Sequence, residues 1–301
     1  MPYKHVALIG LGLISSSIAL SLRRENSNVR ITGTSRSFET RTKAVQLGIC
    51  EVFESSVETV DGADLIVLCV PVGAMASVVK EFASTLEPGV TLTDVGSVKV
   101  EVIANVTPLL PKGINFIPGH PLAGTEHSGP DSGFSTLFDN RWCLLTPQKK
   151  SPLEPLDRLR KFWEGLGAKV DIMEAEHHDL VLAVTSHVPH LIAYTMVGVA
   201  DDLANVTKSE VINYSAAGFR DFTRIAASDP TMWRDVFLNN KDASLEILGR
   251  FTEELTALQR AVRRGDGDLL FDYFTRTRLV RRRILDAGQD TEEPNFGREK
   301  N

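Results

Sequence analysis

The sequence predicts an α/β domain built on a mainly parallel sheet, followed by an all-helical domain. Three observations carry this. Up to about residue 174, short apolar runs rich in Val, Ile and Leu alternate with segments of helical apolar spacing. From there to about residue 286 no convincing strand pattern remains, and apolar residues recur at helical spacing. A length of 301 residues suits about two domains. The expected boundaries are 1–174, 175–286 and a polar tail, 287–301, read as disordered.

The elements follow in order. "HVALIG" (5–10) reads as a buried strand and "LISSSIALSLRRE" (13–25) as a helix. "VRITGT" (29–34) is a second strand, and "ETRTKAVQLG" (39–48) a helix stopped by glycine. "ADLIVLCVP" (63–71) is a strand ended by proline, followed by helix "MASVVKEFASTL" (75–86). "GVTLTDVGS" (89–97) is strand then loop, "VEVIANVTPLL" (100–110) helical, and "INFIPGHP" (114–121) strand then loop. "RWCLLT" (141–146), "PLDRLRKFWEGLG" (155–167) and "AKVDIM" (168–173) add a strand, a helix and a strand. This alternation implies parallel βαβ units with helices on both faces of one sheet. In the second half, residues 175–204 read as one long helix containing Pro189, with amphipathic helices over 241–265 and 267–285. The long helix is apolar over much of its circumference, which suits either an internal core or a second copy of the chain.

Composition narrows the function classes. The chain is 43% hydrophobic and 24% charged, with 33 basic against 39 acidic residues and a net charge of −6. There is no basic excess to favour nucleic acid, and no uninterrupted apolar run of membrane-spanning length. The first strand-like run starts within five residues, so no secretory signal is expected. Cys50, Cys69 and Cys143 lack metal-ligand or redox spacing and read as reduced, in a cytoplasmic protein.

"LIGLGLISSS" places Gly10-x-Gly12-x-x-Ser15 between a strand and a helix, the setting of a Rossmann-type dinucleotide-binding domain. Gly10 permits the tight turn, and Gly12 lets the backbone approach a pyrophosphate on the helix N-terminus. Ser15 replaces the usual third glycine; it is small enough for close packing and carries a hydroxyl in range of phosphate. About 20 residues on, an NAD site has a carboxylate for the ribose 2′-hydroxyl. Here stand Thr34, Ser35 and Arg36 instead, which suit a 2′-phosphate and predict NADP over NAD. The candidate cofactor-binding set is Gly10, Gly12, Leu13, Ile14, Ser35, Arg36 and the loop Val70–Pro71.

Three further segments carry chemistry. "DVGSVK" (94–99) and "GHPLAGTEHSG" (119–129) follow predicted strands, at the sheet edge where ligands bind. "SHVPH" (186–190) and "GFRDFTRIA" (218–226) come from the helical half. The stretch around His120 is read as too irregular for helix or strand.

In this order, after the glycine fingerprint, these segments resemble the prephenate and arogenate (cyclohexadienyl) dehydrogenases over roughly residues 5–285. Departures are Ser15 and Ser16 for glycines and Leu122 where methionine is frequent. The resemblance implies an all-helical domain that forms an intertwined homodimer. It also implies oxidation of a ring 4-hydroxyl with loss of the ring carboxylate as CO2, in tyrosine biosynthesis. His120 would be the base, an imidazole of ordinary pKa about 6.5 suiting that task. Ser97 would orient the C4 oxygen, Arg224 grip the ring carboxylate with Asp221 orienting it, and His190 meet the side-chain carboxylate. Thr125 and Glu126 would gate or polarise the pocket, with Trp233 and Arg220 as further lining. Tyrosine, sharing arogenate's side chain, is an expected competitor at the same cleft. The resemblance leaves prephenate and arogenate undivided.

Blander readings stand beside these. His187 and His190 sit three apart without a third ligand, so no metal site is expected and His187 reads as structural. His177 and His178 read as solvated or capping, and Arg224 as a possible surface pair with Asp221. The arginines of "RLVRRRI" (278–284) read as a solvated face or a partner contact, not a nucleic-acid site. Rival functions are another NADP-dependent dehydrogenase, of β-hydroxyacid or pyrroline-carboxylate type, and a non-catalytic NADP redox sensor.

Overall fold

The computed structural model describes residues 1–25, 28–125, 127–149, 151–213 and 216–286. The tail 287–301 and Glu126, both assigned from sequence, lie outside the described residues. Contacts divide the chain into two units, Met1–Leu245 and Glu246–Asn301.

The first unit begins with β1 (His5–Ile9), α1 (Leu13–Arg24), β2 (Arg30–Thr34), α2 (Phe38–Gln46), β3 (Glu51–Val52) and α3 (Ser56–Val60). It continues with β4 (Leu65–Leu68), α4 (Val72–Phe82), β5 (Thr91–Asp94), α5 (Val100–Val106) and β6 (Asn115–Phe116). These strands form a six-stranded, all-parallel sheet in the order β3-β2-β1-β4-β5-β6. Successive side chains of a strand face opposite ways. Leu8, Leu65 and Val67 therefore enter one core with Ile18, Leu22, Phe162 and Trp163. Ile9, Ile66 and Leu68 enter the other with Val79, Phe82 and Val102.

One sheet was expected; there are two. β7 (Gly119–Pro121), β8 (Trp142–Leu145) and β9 (Lys169–Ile172) make a separate three-stranded sheet, with α6 (Leu153–Gly165) between the last two. His120 is therefore on a strand, opposite Leu144 in an antiparallel pair, and not in an irregular loop. Pro118 has no N–H with which to continue β6, and Pro121 holds His120 extended. β7 thus departs from the parallel sheet and pairs with a strand that its own sequence does not indicate.

The helical half opens with α7 (Ala175–Leu182), one π-helical turn (Ala183–His187) and α8 (Val188–Asn213). The expected long helix is thus interrupted just before Pro189, whose missing N–H breaks the regular ladder. By length and composition Ala175–Leu203 would suit a membrane span. In the fold, however, its first turns bury His178, Asp179 and His187 against the nucleotide half. α9 (Ala217–Thr223) leads through a 3-10 turn (Arg224–Ala227) into α10 (Pro230–Asn239). α10, β3 and α3 were not anticipated. α10 had a signal: the Asp229 side chain caps it by accepting from Met232 N at 2.8 Å, and Pro230 occupies the first turn. Its Trp233 and Val236 complete the second core. α11 (Lys241–Arg264) crosses into the second unit, which also holds α12 (Gly267–Asp286). α12 leaves Phe271, Phe274, Leu279, Val280 and Ile284 exposed, Phe271 at 71%.

Candidate active site

The glycine turn has the shape a dinucleotide needs. Gly10 has φ +100°, and a Cβ there would lie 2.6 Å from the Cys69 carbonyl oxygen, so only glycine fits. At Gly12 a Cβ would meet nothing within 4 Å, leaving open space over the N-terminus of α1. The Ser15 hydroxyl does not extend toward a phosphate, contrary to expectation. It is buried and accepts from Gly12 N at 2.8 Å, because the third residue of a helix naturally folds back on its cap. Leu13 and Ile14 supply the remaining first-turn amides, and Val70–Pro71 leave the neighbouring strand β4. At the end of β2, Ser35 is half-buried and Arg36 exposed. Arg41, which the sequence did not single out, donates from Nη1 to the carbonyls of Ser35 at 2.6 Å and Arg36 at 3.1 Å. The residues present therefore fit a nicotinamide dinucleotide.

Beyond the sheet edge lies a chain of buried polar groups around His120, itself 8% exposed. Asp179 on α7 accepts from Lys99 N at 2.8 Å and Val100 N at 2.9 Å, capping α5. Its Oδ1 also lies 2.8 Å from His178 Nδ1, and His178 Nε2 lies 2.9 Å from His120 Nδ1. The direction of these bonds is forced. A carboxylate only accepts, so His178 Nδ1 donates. Burial pulls the His178 pKa down and outweighs the opposing hydrogen bond to Asp179, with Lys99 lowering it further; a neutral His178 accepts at Nε2 from His120 Nδ1–H. Burial, followed by the electrostatic influence of its neighbours His178, Lys99 and His187, holds His120 well below the usual histidine range. A neutral His120 with Nδ1 protonated presents a bare Nε2, which is a base. His178 was expected to be solvated or capping; it is fully buried because α7 lies across α5 and β7 at this point.

Ser97 is half-buried on the loop between β5 and α5, and its hydroxyl makes no hydrogen bond with a described residue. Its backbone adjoins the His187 ring. Asn240 Nδ2 donates to Asp179 O at 2.8 Å and to His187 Nδ1 at 3.1 Å, so His187 carries its proton on Nε2. Trp233 meets His187 edge-on at 6.1 Å and stacks on His190 at 3.6 Å. His190 Nδ1 donates to Ser186 O at 2.7 Å, leaving Nε2 bare. Burial lowers the His190 pKa, and the Arg224 charge lowers it further. Arg224 opens a 3-10 turn held on α8 by Tyr194, whose hydroxyl donates to Ser228 O at 2.8 Å. The fold thus gathers Ser97, His120, His187, His190, Trp233 and Arg224.

It does not bring in Asp221. This residue is exposed, and no ion pair forms between it and Arg224 among the described residues. Arg220 is exposed on α9, and Thr125 is exposed with its hydroxyl accepting from His127 N at 3.2 Å. Among the described residues no cluster could hold a metal ion.

Four imidazoles kept neutral by burial couple stability to pH. Their folded pKa values lie below the unfolded 6.5, so on acidification the unfolded chain takes up protons first. The stability they contribute is complete above pH 6.5 and is lost as pH falls. For His187 the loss runs from 6.5 to about 4 and amounts to roughly 3 kcal/mol. Thermal melts are expected to show Tm dropping steadily between these pH values; a flat Tm would contradict neutral burial.

A dinucleotide cradle at the end of β1 and a buried neutral imidazole following the end of β5 suit the class of nicotinamide-dependent dehydrogenases. Comparison with known proteins makes this specific. Residues 18–172 match the family model for the prephenate dehydrogenase nucleotide-binding domain, and 174–276 that for the prephenate dehydrogenase dimerization domain. The cyclohexadienyl dehydrogenase of Zymomonas mobilis is 40% identical over 93% of this chain and 95% of its own length. The crystal structure of Aquifex aeolicus prephenate dehydrogenase with hydroxyphenyl propionate and NAD+ has a TM-score of 0.86 at 35% identity, covering 93% of this chain and 98% of that one. Synechocystis arogenate dehydrogenase has a TM-score of 0.76 at 28% identity, covering 93% and 99%. The chain belongs to the prephenate dehydrogenase family.

Proposed function

We propose that the protein catalyses the oxidative decarboxylation of prephenate and/or arogenate in tyrosine biosynthesis, with His120 as the base. The observation that carries this is the Asp179–His178–His120 chain, which leaves Nε2 of a neutral imidazole bare on the strand that Asp94 ties to the end of β5. The bound nicotinamide supplies the acceptor for the hydride from C4. His120 takes the proton of the C4 hydroxyl, while Ser97 orients that oxygen. The C1–carboxylate bond then breaks, CO2 leaves, and its electron pair enters the ring. The proton held by His120 returns to the resulting phenolate, so the base is regenerated. Arg224 holds the ring carboxylate by charge-assisted hydrogen bonds, and His190, fixed on Trp233, meets the side-chain carboxylate.

Within this reading the cofactor is NADP. Arg36 and Ser35 meet the 2′-phosphate, and Arg41 braces their carbonyls. The protein works in the cytoplasm as a homodimer through residues 175–286, where the apolar face of α12 and exposed Met196, Val197 and Leu203 of α8 are covered. Tyrosine competes at the substrate cleft. Steady-state assays of both substrates with NAD+ and NADP+ test the reading. Turnover of at least one substrate, with kcat/KM higher for NADP+, is expected, and Arg36→Ala should narrow that cofactor ratio about tenfold or more. No turnover in any pairing overturns the function, whereas an NAD preference untouched by Arg36→Ala overturns only the cofactor assignment.

A further inference from the structure

Beneath the site lies a buried ion pair with no place in the proton chemistry. Lys99 and Asp94 are both fully buried, and Lys99 Nζ donates to Asp94 Oδ2. Such a pair is costly to desolvate, and it gains little stability over apolar residues of similar volume. Its hydrogen bonds show what it holds instead. Lys99 Nζ also donates to the Gly119 carbonyl at 2.7 Å, while Asp94 Oδ1 accepts from Gly119 N at 3.3 Å. Both backbone groups of the residue preceding His120 are thereby tied to one ion pair. Asp94 Oδ2 also accepts from Gly96 N at 2.8 Å, immediately before Ser97. The approach is close: a Cβ on Gly119 would sit 3.2 Å from the Asp94 carbonyl oxygen.

The Lys99 backbone N–H meanwhile donates to Asp179, at the far end of the histidine chain. The contacts close a ring: Lys99 to Gly119, along the chain to His120, then His178, Asp179 and back to Lys99. We infer that Asp94 and Lys99 are positioning residues that lock β7 to the end of β5, fixing His120 and Ser97 in register with one another. The inference rests on the proposed roles of those two residues. Lys99 also faces His120 as a positive charge and so opposes its protonation.

The single change Lys99→Met leaves a buried carboxylate without its partner and is expected to impair folding. The deciding variant is therefore the double change Asp94→Asn with Lys99→Met, which removes both charges at similar volume. It is expected to fold, to bind NADP+ with unchanged Kd and to keep its substrate KM within about threefold, while kcat falls on the order of 10²-fold from misplacement of the base. The acid limb of kcat should move toward the ordinary histidine range, since Lys99 no longer opposes protonation of His120. A filler of space would leave both kcat and that limb unmoved. A folded double variant with parental kcat and acid limb overturns the inference, whereas an unaltered parent enzyme without turnover overturns the functional reading on which it rests.

Discussion

His120→Asn is expected to lower kcat by about 10²–10⁴-fold, the usual loss on removing a general base. The carboxamide of Asn is close in reach to Nδ1 and can still donate to His178 Nε2. The Asp179–His178 arrangement and the strand pairing of β7 with β8 are therefore kept. What disappears is the bare Nε2, the sole proton acceptor that the chain of hydrogen bonds creates at that position. The cofactor cradle is formed by Gly10, Gly12 and the first turn of α1, none of which touches His120, so NADP+ should bind as it does to the parent. Single-turnover measurement of reduced cofactor at saturating substrate separates the chemical step from binding. Turnover within threefold of the parent would remove His120 from the proton transfer.

Arg224→Ala is expected to raise the substrate KM by about 10- to 150-fold with little change in kcat. A hydrogen bond to a charged group contributes about 1.5–3 kcal/mol, and each 1.4 kcal/mol is roughly tenfold in affinity. The Tyr194–Ser228 bond holds the turn that carries Arg224 on α8, so truncation should leave the turn in place. The same change frees His190 of a neighbouring positive charge, and its pKa should rise. An unchanged KM would take Arg224 out of substrate recognition. A large fall in kcat at constant KM would instead make its contact one formed only in the transition state.

Much of the cofactor half was legible because its signals are local. The Gly10–Gly12 turn, the buried runs of β1, β2, β4 and β5, and the break after Thr34 each depend on residues adjacent in the chain. The order of the GHPLAG, SHVPH and GFRDFTR segments likewise pointed to the family. The partner of β7 was not legible, since three residues flanked by proline carry no alternation that selects β8. His178 was misread for a related reason. It lies 58 residues from His120, and nothing in "AEHHDL" distinguishes the buried imidazole from its neighbour His177. Asp94 and Lys99 lie in the singled-out segment "DVGSVK", but their tie to Gly119 crosses 20 to 25 residues of chain and is not readable from it. Asp221, given by the resemblance as the residue that orients Arg224, is exposed in the fold. For α10 the information was present in "SDPTMW", as a cap and a first-turn proline, and needed only to be weighed above the polar character around it.

The most direct test of His120 as a base poised by its surroundings is the pH dependence of kcat/KM in the parent and in His120→Asn. Burial and the neighbouring His178, Lys99 and His187 should place the parent's acid limb below the ordinary histidine value of 6.5, and that limb should be absent from the residual activity of the variant. A parental midpoint at or above 6.5, or the same limb persisting without the imidazole, would contradict it.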